Sequence, residues 1–159
     1  MILYHASNVI VRSPDVMHSR DALDFGKGFY LTVLKDQAVK YSRRFTNRKQ
    51  PAYVNIYELD ENVFNIYKVK HFIAYDEEWL DFVSCCRTLK PVEKYDIIIG
   101  GIADDKVFNT LDLYFDGLIS KLEALDRLKY EKPNHQLCIL NQAVIEKGLK
   151  FVDSIKLDL

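Results

Sequence analysis

The apolar opening Ile2–His5 reads as a strand, and a polar, irregular stretch follows from Ala6 to Phe25. Gly26-Lys27-Gly28 then makes a flexible turn into a short apolar run, Phe29-Tyr30-Leu31-Thr32, read as a second strand. From Asp36 to Arg44 the period becomes helical, with Ala38, Tyr41 and Phe45 on one face. Asp36 at its start and Arg43 and Arg44 at its end suit the helix dipole. After Pro51, Ala52–Leu59 alternates as a strand, and Asp60–Lys70 reads as a turn with another strand. Asp76–Arg87 is helical, with Trp79, Phe82 and Val83 turned to the core. Tyr95–Ile102 is a buried strand ended by Gly100-Gly101. Asp104–Tyr114 and Ser120–Leu128 are amphipathic helices separated by Gly117. Gln136–Leu140 is a late strand, Gln142–Lys147 a short helix ended by Gly148, and Phe151–Leu157 a closing strand.

Strands and helices mix here without regular βαβ alternation, which predicts an α+β domain with two sheets or one strongly bent sheet. A length of 159 residues suits one domain, spanning 1–159. The net charge of −1 gives the whole molecule no field toward DNA or an anionic membrane, so nucleic-acid contact would need a local patch. One such patch is Arg43, Arg44, Arg48 and Lys49 around Phe45, which also reads as a solvated helix end. The chain opens on a strand rather than a signal peptide, and no apolar run approaches a membrane span, so a cytoplasmic protein is expected. Three cysteines, Cys85, Cys86 and Cys138, form neither a disulfide framework nor a metal spacing. They read as buried small hydrophobes, and no metal is expected.

Three separated segments carry the candidate chemistry: Leu3-Tyr4-His5-Ala6-Ser7, Asp24-Phe25-Gly26-Lys27-Gly28-Phe29-Tyr30-Leu31-Thr32, and Asn134-His135-Gln136-Leu137-Cys138-Ile139. Each is weak alone. Together they resemble the ADP-ribosyltransferase superfamily, in its histidine–tyrosine–glutamate branch with the poly(ADP-ribose) polymerases and diphtheria toxin. Gly26-Lys27-Gly28-Phe29-Tyr30 resembles the polymerases' glycine-x-glycine-aromatic-tyrosine motif, and Tyr41 follows Tyr30 at the family's spacing. His5 matches the first-strand histidine, with Ala6-Ser7 where the family has Gly-Ser or Gly-Thr. Over nearly its full length the chain also resembles an uncharacterised, DUF3990-like family of short bacterial proteins of this kind.

The resemblance implies an ADP-ribosyltransferase-like fold of two small packed antiparallel sheets with flanking helices, and NAD bound as substrate in a cleft between them. Tyr30 and Tyr41 would sandwich the flat cationic nicotinamide ring. Gly26 and Gly28 would let the backbone approach the ligand. Ala6 and its neighbours would offer a backbone N–H and C=O to the carboxamide, while His5 and Ser7 hold hydroxyls. Gln136 stands at the catalytic glutamate's position. It can hydrogen-bond the ribose, but it cannot take a proton at neutral pH and offers a developing cation only a dipole. His135 alternates with it, so one of the two faces the site, and Gln136 is the expected one. Asp104 and Asp105 are the alternative bases; both also suit the cap of the following helix.

The expected activity is mono-ADP-ribosylation of a macromolecular acceptor, protein or nucleic acid. Polymer elongation is disfavoured because it asks for deprotonation of a sugar hydroxyl. An NAD glycohydrolase and a non-catalytic module that binds NAD, ADP-ribose or a partner protein are the competing readings. By analogy alone, a toxin or defence module with a neutralising antitoxin partner is compatible with the resemblance.

Overall fold

A computed structural model describes residues 1–158. Seven strands form one mixed sheet in the order β4-β5-β6-β2-β1-β3-β7. The strands are β1 (Ile2–Ser7), β2 (Phe29–Thr32), β3 (Ala52–Leu59), β4 (Val69–His71), β5 (Ile97–Gly100), β6 (Gln136–Ile139) and β7 (Leu149–Leu157). The helices are α1 (Lys35–Thr46), α2 (Val63–Ile66), α3 (Glu77–Arg87), α4 (Asp105–Phe115), α5 (Lys121–Leu128) and α6 (Gln142–Gly148). The α+β class is as expected. The expected pair of packed antiparallel sheets is replaced by one sheet whose two leaves, β4-β5-β6-β2 and β1-β3-β7, meet edge to edge at the Tyr4↔Thr32 bridge. Each leaf packs on helices, so neither has to cover the other.

β4 and β5 are the one parallel pair, because α3 carries the chain across between them. One face of the sheet buries Leu3, Phe29, Leu31, Tyr57, Ile97, Leu137 and Ile139 against α2, α6 and Val16. On the other face, Trp79, Leu80 and Val83 of α3 join Val107, Leu111, Ala124 and Leu128 of α4 and α5 over Ile98 and Cys138. α1 covers β1 and β3 through Ala38, which packs on Ala6 and Val54. Helix starts follow from local chemistry: Asp76, Asp104, Ser120 and Asn141 each accept a hydrogen bond from an amide in the first turn.

Some expected boundaries shift. β1 runs on to Ser7, so Ala6 and Ser7 are strand residues. The Asp60–Lys70 stretch, expected as a turn with another strand, holds α2 and the start of β4, which runs to His71. On α1 the buried positions are Ala38 and Ser42, while Tyr41 turns outward at 45% exposure. Cys86 and Cys138 are buried as expected, with burial pushing the Cys86 thiol up to about 12, whereas Cys85 is only half-buried. No helix of the described residues is long and apolar enough to cross a membrane.

Candidate functional site

The seam between the two leaves is where the sequence motifs meet. β1 pairs along its whole length with β3, and Met1 N and O are both bonded to Leu59. Alternation from Met1 therefore turns the backbone groups of Leu3, His5 and Ser7 to β3, and those of Tyr4 and Ala6 to β2. Tyr4 pairs with Thr32, but the next rung, Ala6 with Tyr30, does not form. The His5 ring enters this opening, its Nδ1 2.7 Å from the Tyr30 carbonyl oxygen. A carbonyl can only accept, so Nδ1 carries the proton and Nε2 is left as an acceptor. The Ala6 backbone thus faces β2 where the ladder is interrupted, and the Tyr30 carbonyl that its N–H would meet there is taken by the His5 ring.

Strand register fixes which side chains share a face. Gly100, Gln136, Thr32 and Tyr4 form one row across the sheet. Cys138 and Tyr30 lie in the next row on the same face, with Ala6 beyond the opening. His5 and Ser7 project from the opposite face, where the His5 ring packs on Phe29 at 4.4 Å between centroids. Desolvation there pushes the His5 pKa below its ordinary value, against the weaker opposing effect of the Tyr30 carbonyl. The Ser7 hydroxyl accepts from Val9 N and turns the chain into the following loop.

Gln136 lies on the same face as Thr32 and Tyr4, and His135 is exposed, its carbonyl accepting from the Thr32 hydroxyl at 2.9 Å. Gln136 Nε2 donates to Gln37 Oε1 at 2.9 Å, and the same oxygen lies 2.8 Å from Thr32 Oγ1. Thr32 Oγ1 also accepts from Leu34 N, which fixes the hydroxyl at the start of α1. With its amide nitrogen held by Gln37, Gln136 keeps its carbonyl oxygen available to a ligand. Gln37 and Thr32 had no assigned role in the sequence. The available signal was spacing, since Gln37 lies one helical turn before Tyr41.

The two tyrosines are not stacked on one another. The Tyr30 ring packs on Phe25 at 6.4 Å, its hydroxyl donating to Gly26 O and accepting from Phe25 N. Burial holds its phenol protonated, far above the ordinary range. Tyr41 packs edge-on with Phe45, and the Arg44 guanidinium lies 4.0 Å over its ring while donating to its hydroxyl. Tyr30 projects from the face of the sheet that α1 covers, and Tyr41 lies on the outward side of α1.

Gly26 takes φ +85°, which excludes most side chains. Gly28 is required for another reason: a Cβ there would lie 2.7 Å from Cys138 Sγ and 2.8 Å from the Ile139 carbonyl oxygen. That glycine serves the approach of the loop to β6, and its N–H donates to the Ser19 hydroxyl. Asp104 Oδ1 accepts from Val107 N as the cap of α4, and Asp105 is exposed in the first turn. Their observed contacts belong to the helix cap. Arg43, Arg44, Arg48 and Lys49 are all exposed at the end of α1. Asp24, also unassigned before, is buried against Arg87 and tethers the loop that leads to Tyr30.

The chain matches, over residues 1–151, a family described as a protein of unknown function (DUF3990). It belongs to the DUF3990 family. No curated protein matches it. In this DUF3990 chain the match spans β1, β2 and β6, so every residue of the seam lies inside the family region.

Proposed function

We propose that the open rung beside Tyr30 binds the nicotinamide carboxamide of NAD+, and that the protein transfers ADP-ribose to a macromolecular acceptor. The observation that carries this reading is the Ala6 peptide. Ala6 turns its N–H and C=O toward β2 at the point where the β1–β2 ladder stops. A primary carboxamide offers the complementary pair, a carbonyl acceptor and an NH2 donor. Tyr30 supplies an aromatic neighbour, with stacking worth about 0.5–1.5 kcal/mol.

The reaction follows from what these groups can do. The bond between C1′ of the ribose and the nicotinamide nitrogen breaks, its electron pair leaves with nicotinamide, and an oxocarbenium-like centre develops. The Gln136 carbonyl oxygen accepts from a ribose hydroxyl and points the negative end of its dipole at that charge. The acceptor's lone pair forms the new bond to C1′, and its proton goes to solvent. Since Gln136 cannot take that proton, the acceptor must be a nucleophile that needs no strong base, such as a carboxylate or a nucleobase nitrogen. A toxin or defence role, with a neutralising partner, would follow from modifying an essential macromolecule.

Purified protein incubated with NAD+ tests this through nicotinamide release, with and without cell extract, alongside calorimetry of NAD+ binding. Transfer of label only with extract is the expected result. Release without extract makes the protein a glycohydrolase. Binding with no release makes it a recognition module, and absence of binding removes the NAD reading altogether.

A further inference from the structure

α1 and the turn after it concentrate charge in a chain that is otherwise slightly acidic. Between Lys35 and Lys49 lie six cations, Lys35, Lys40, Arg43, Arg44, Arg48 and Lys49, against a single acid, Asp36. All six are exposed, and among the described residues none pairs with a carboxylate. Elsewhere Lys27, Lys68, Lys70, Arg87, Lys121 and Lys129 find acidic partners and, among the described residues, the other ten cations do not, but those ten are scattered, whereas α1 and its turn gather six within fifteen residues. The charge of α1 is therefore uncompensated, and it is ordered relative to the seam. Gln37, Tyr41 and Arg44 fall at i, i+4 and i+7 on one side of the helix. Gln37 ends that stripe on Gln136, and Arg44 covers one face of the Tyr41 ring.

We infer that this stripe holds a single-stranded nucleic acid, which is the macromolecule that receives ADP-ribose; that last step rests on the NAD reading above. Phosphates go to Arg43, Arg44, Arg48 and Lys49, and a base stacks on Tyr41. An exposed ring flanked by arginine is a stacking platform, and every base has a π face for it. A duplex keeps its bases stacked internally and would leave that ring unused. An acidic peptide would meet the cations but has no flat group for the tyrosine. The chemistry agrees with the seam, because a base's nitrogen attacks C1′ through its lone pair. Once bonded, that nitrogen becomes acidic and releases its proton to water, so no carboxylate base is needed at position 136.

The test is fluorescence anisotropy of dye-labelled mixed-sequence 12-nucleotide RNA and DNA, over 50–200 mM salt, with nicotinamide release measured in parallel. Binding is expected, with log K falling against log salt at a slope of about −2 to −3, as three or four phosphate contacts require. The triple variant Arg43→Glu/Arg44→Glu/Arg48→Glu should weaken it at least about tenfold, and Tyr41→Ala about five- to hundredfold. The distant charge reversal Lys90→Glu/Lys94→Glu should leave it within about twofold. No binding at 50 mM salt, unchanged binding by the triple variant, or equal affinity for a polyglutamate peptide overturns the inference. Strand binding without NAD cleavage would overturn the NAD reading and keep the surface. NAD cleavage without strand binding does the reverse.

Discussion

His5 Nδ1 stands 2.7 Å from the carbonyl oxygen of Tyr30, on the atom that the Ala6 amide would bond if the strand ladder continued. A side chain has replaced a main-chain donor. The Tyr30 acceptor is thereby satisfied by a ring, and the Ala6 N–H loses the acceptor that a continued ladder would give it. An edge left open in the middle of a sheet is a cost that folding alone does not explain, and it lies where the three motifs converge.

Ala6→Pro removes the N–H that faces the opening and nothing from the ladder to β3, whose bonds come from His5 and Ser7. The φ of a strand lies close to that of proline, and the added ring carbons against Ala38 cost about 1 kcal/mol, which leaves the fold in place. Nicotinamide release should fall at least about tenfold, equivalent to about 1.4 kcal/mol, with the melting temperature within a few degrees of the parent. Unchanged release would show that the open peptide has no role in binding.

The pH dependence of stability reports on the same contact. Burial lowers the His5 pKa below 6.5, so the unfolded chain takes up a proton that the folded ring resists. The resulting stabilisation is fully present above about pH 6.5 and is lost as pH falls below that value toward the folded pKa. Urea unfolding between pH 7.5 and 5 should therefore show a decline that His5→Gln flattens, the glutamine amide still offering a donor to the Tyr30 carbonyl. An identical decline in the variant would place the titrating group elsewhere.

The α+β class and most elements were legible because strand alternation and helical periodicity are local. Trp79 and Val83 read as core at helical spacing, and both are fully buried. What local pattern could not give was the partner of each strand. The Tyr95–Ile102 run reads as buried, but only the α3 crossover makes β5 parallel to β4. The motifs named Ala6, Tyr30 and Gln136, and their grouping depends on long-range register. Periodicity put Ala38, Tyr41 and Phe45 on one face of α1, but the buried positions are Ala38 and Ser42, small residues that let α1 approach β1 and β3 closely, and Tyr41 is exposed. Gln37, whose contact is with a residue 99 positions away, left no signal but its spacing from Tyr41.

Gln136→Glu should raise nicotinamide release, by about tenfold or more. A carboxylate offers a full charge to the developing cation where the amide offers a dipole. Gln37 can accommodate it by rotating its amide to donate, since Thr32 Oγ1 has the His135 carbonyl as an alternative acceptor. Gln37→Leu in the same background should cancel the gain by leaving the carboxylate unheld. Turnover that stays flat or falls in Gln136→Glu would end the view of this position as a weakened glutamate.

The loop that carries Tyr30 is anchored by charge. Asp24 is 7% exposed, and its Oδ1 accepts from Arg87 Nε at 2.6 Å and lies 2.6 Å from a terminal guanidinium nitrogen. Its Oδ2 accepts from Ala103 N at 2.7 Å, which ties the loop to the exit of β5. The next two residues, Phe25 and Gly26, hold the Tyr30 hydroxyl, so the ion pair fixes the floor of the seam. Arg87→Met leaves a buried carboxylate with one amide donor, and breaking such a pair costs about 3–5 kcal/mol. Urea unfolding should show a loss of about 3 kcal/mol, and NAD+ affinity should weaken through the loosened Tyr30. Arg87→Met/Asp24→Asn should recover much of the stability, because the stranded charge is gone while the Ala103 bond can persist through the amide oxygen. A single-variant loss below about 1 kcal/mol, or no recovery in the double variant, would mean that packing around Phe25 and not this pair sets the loop.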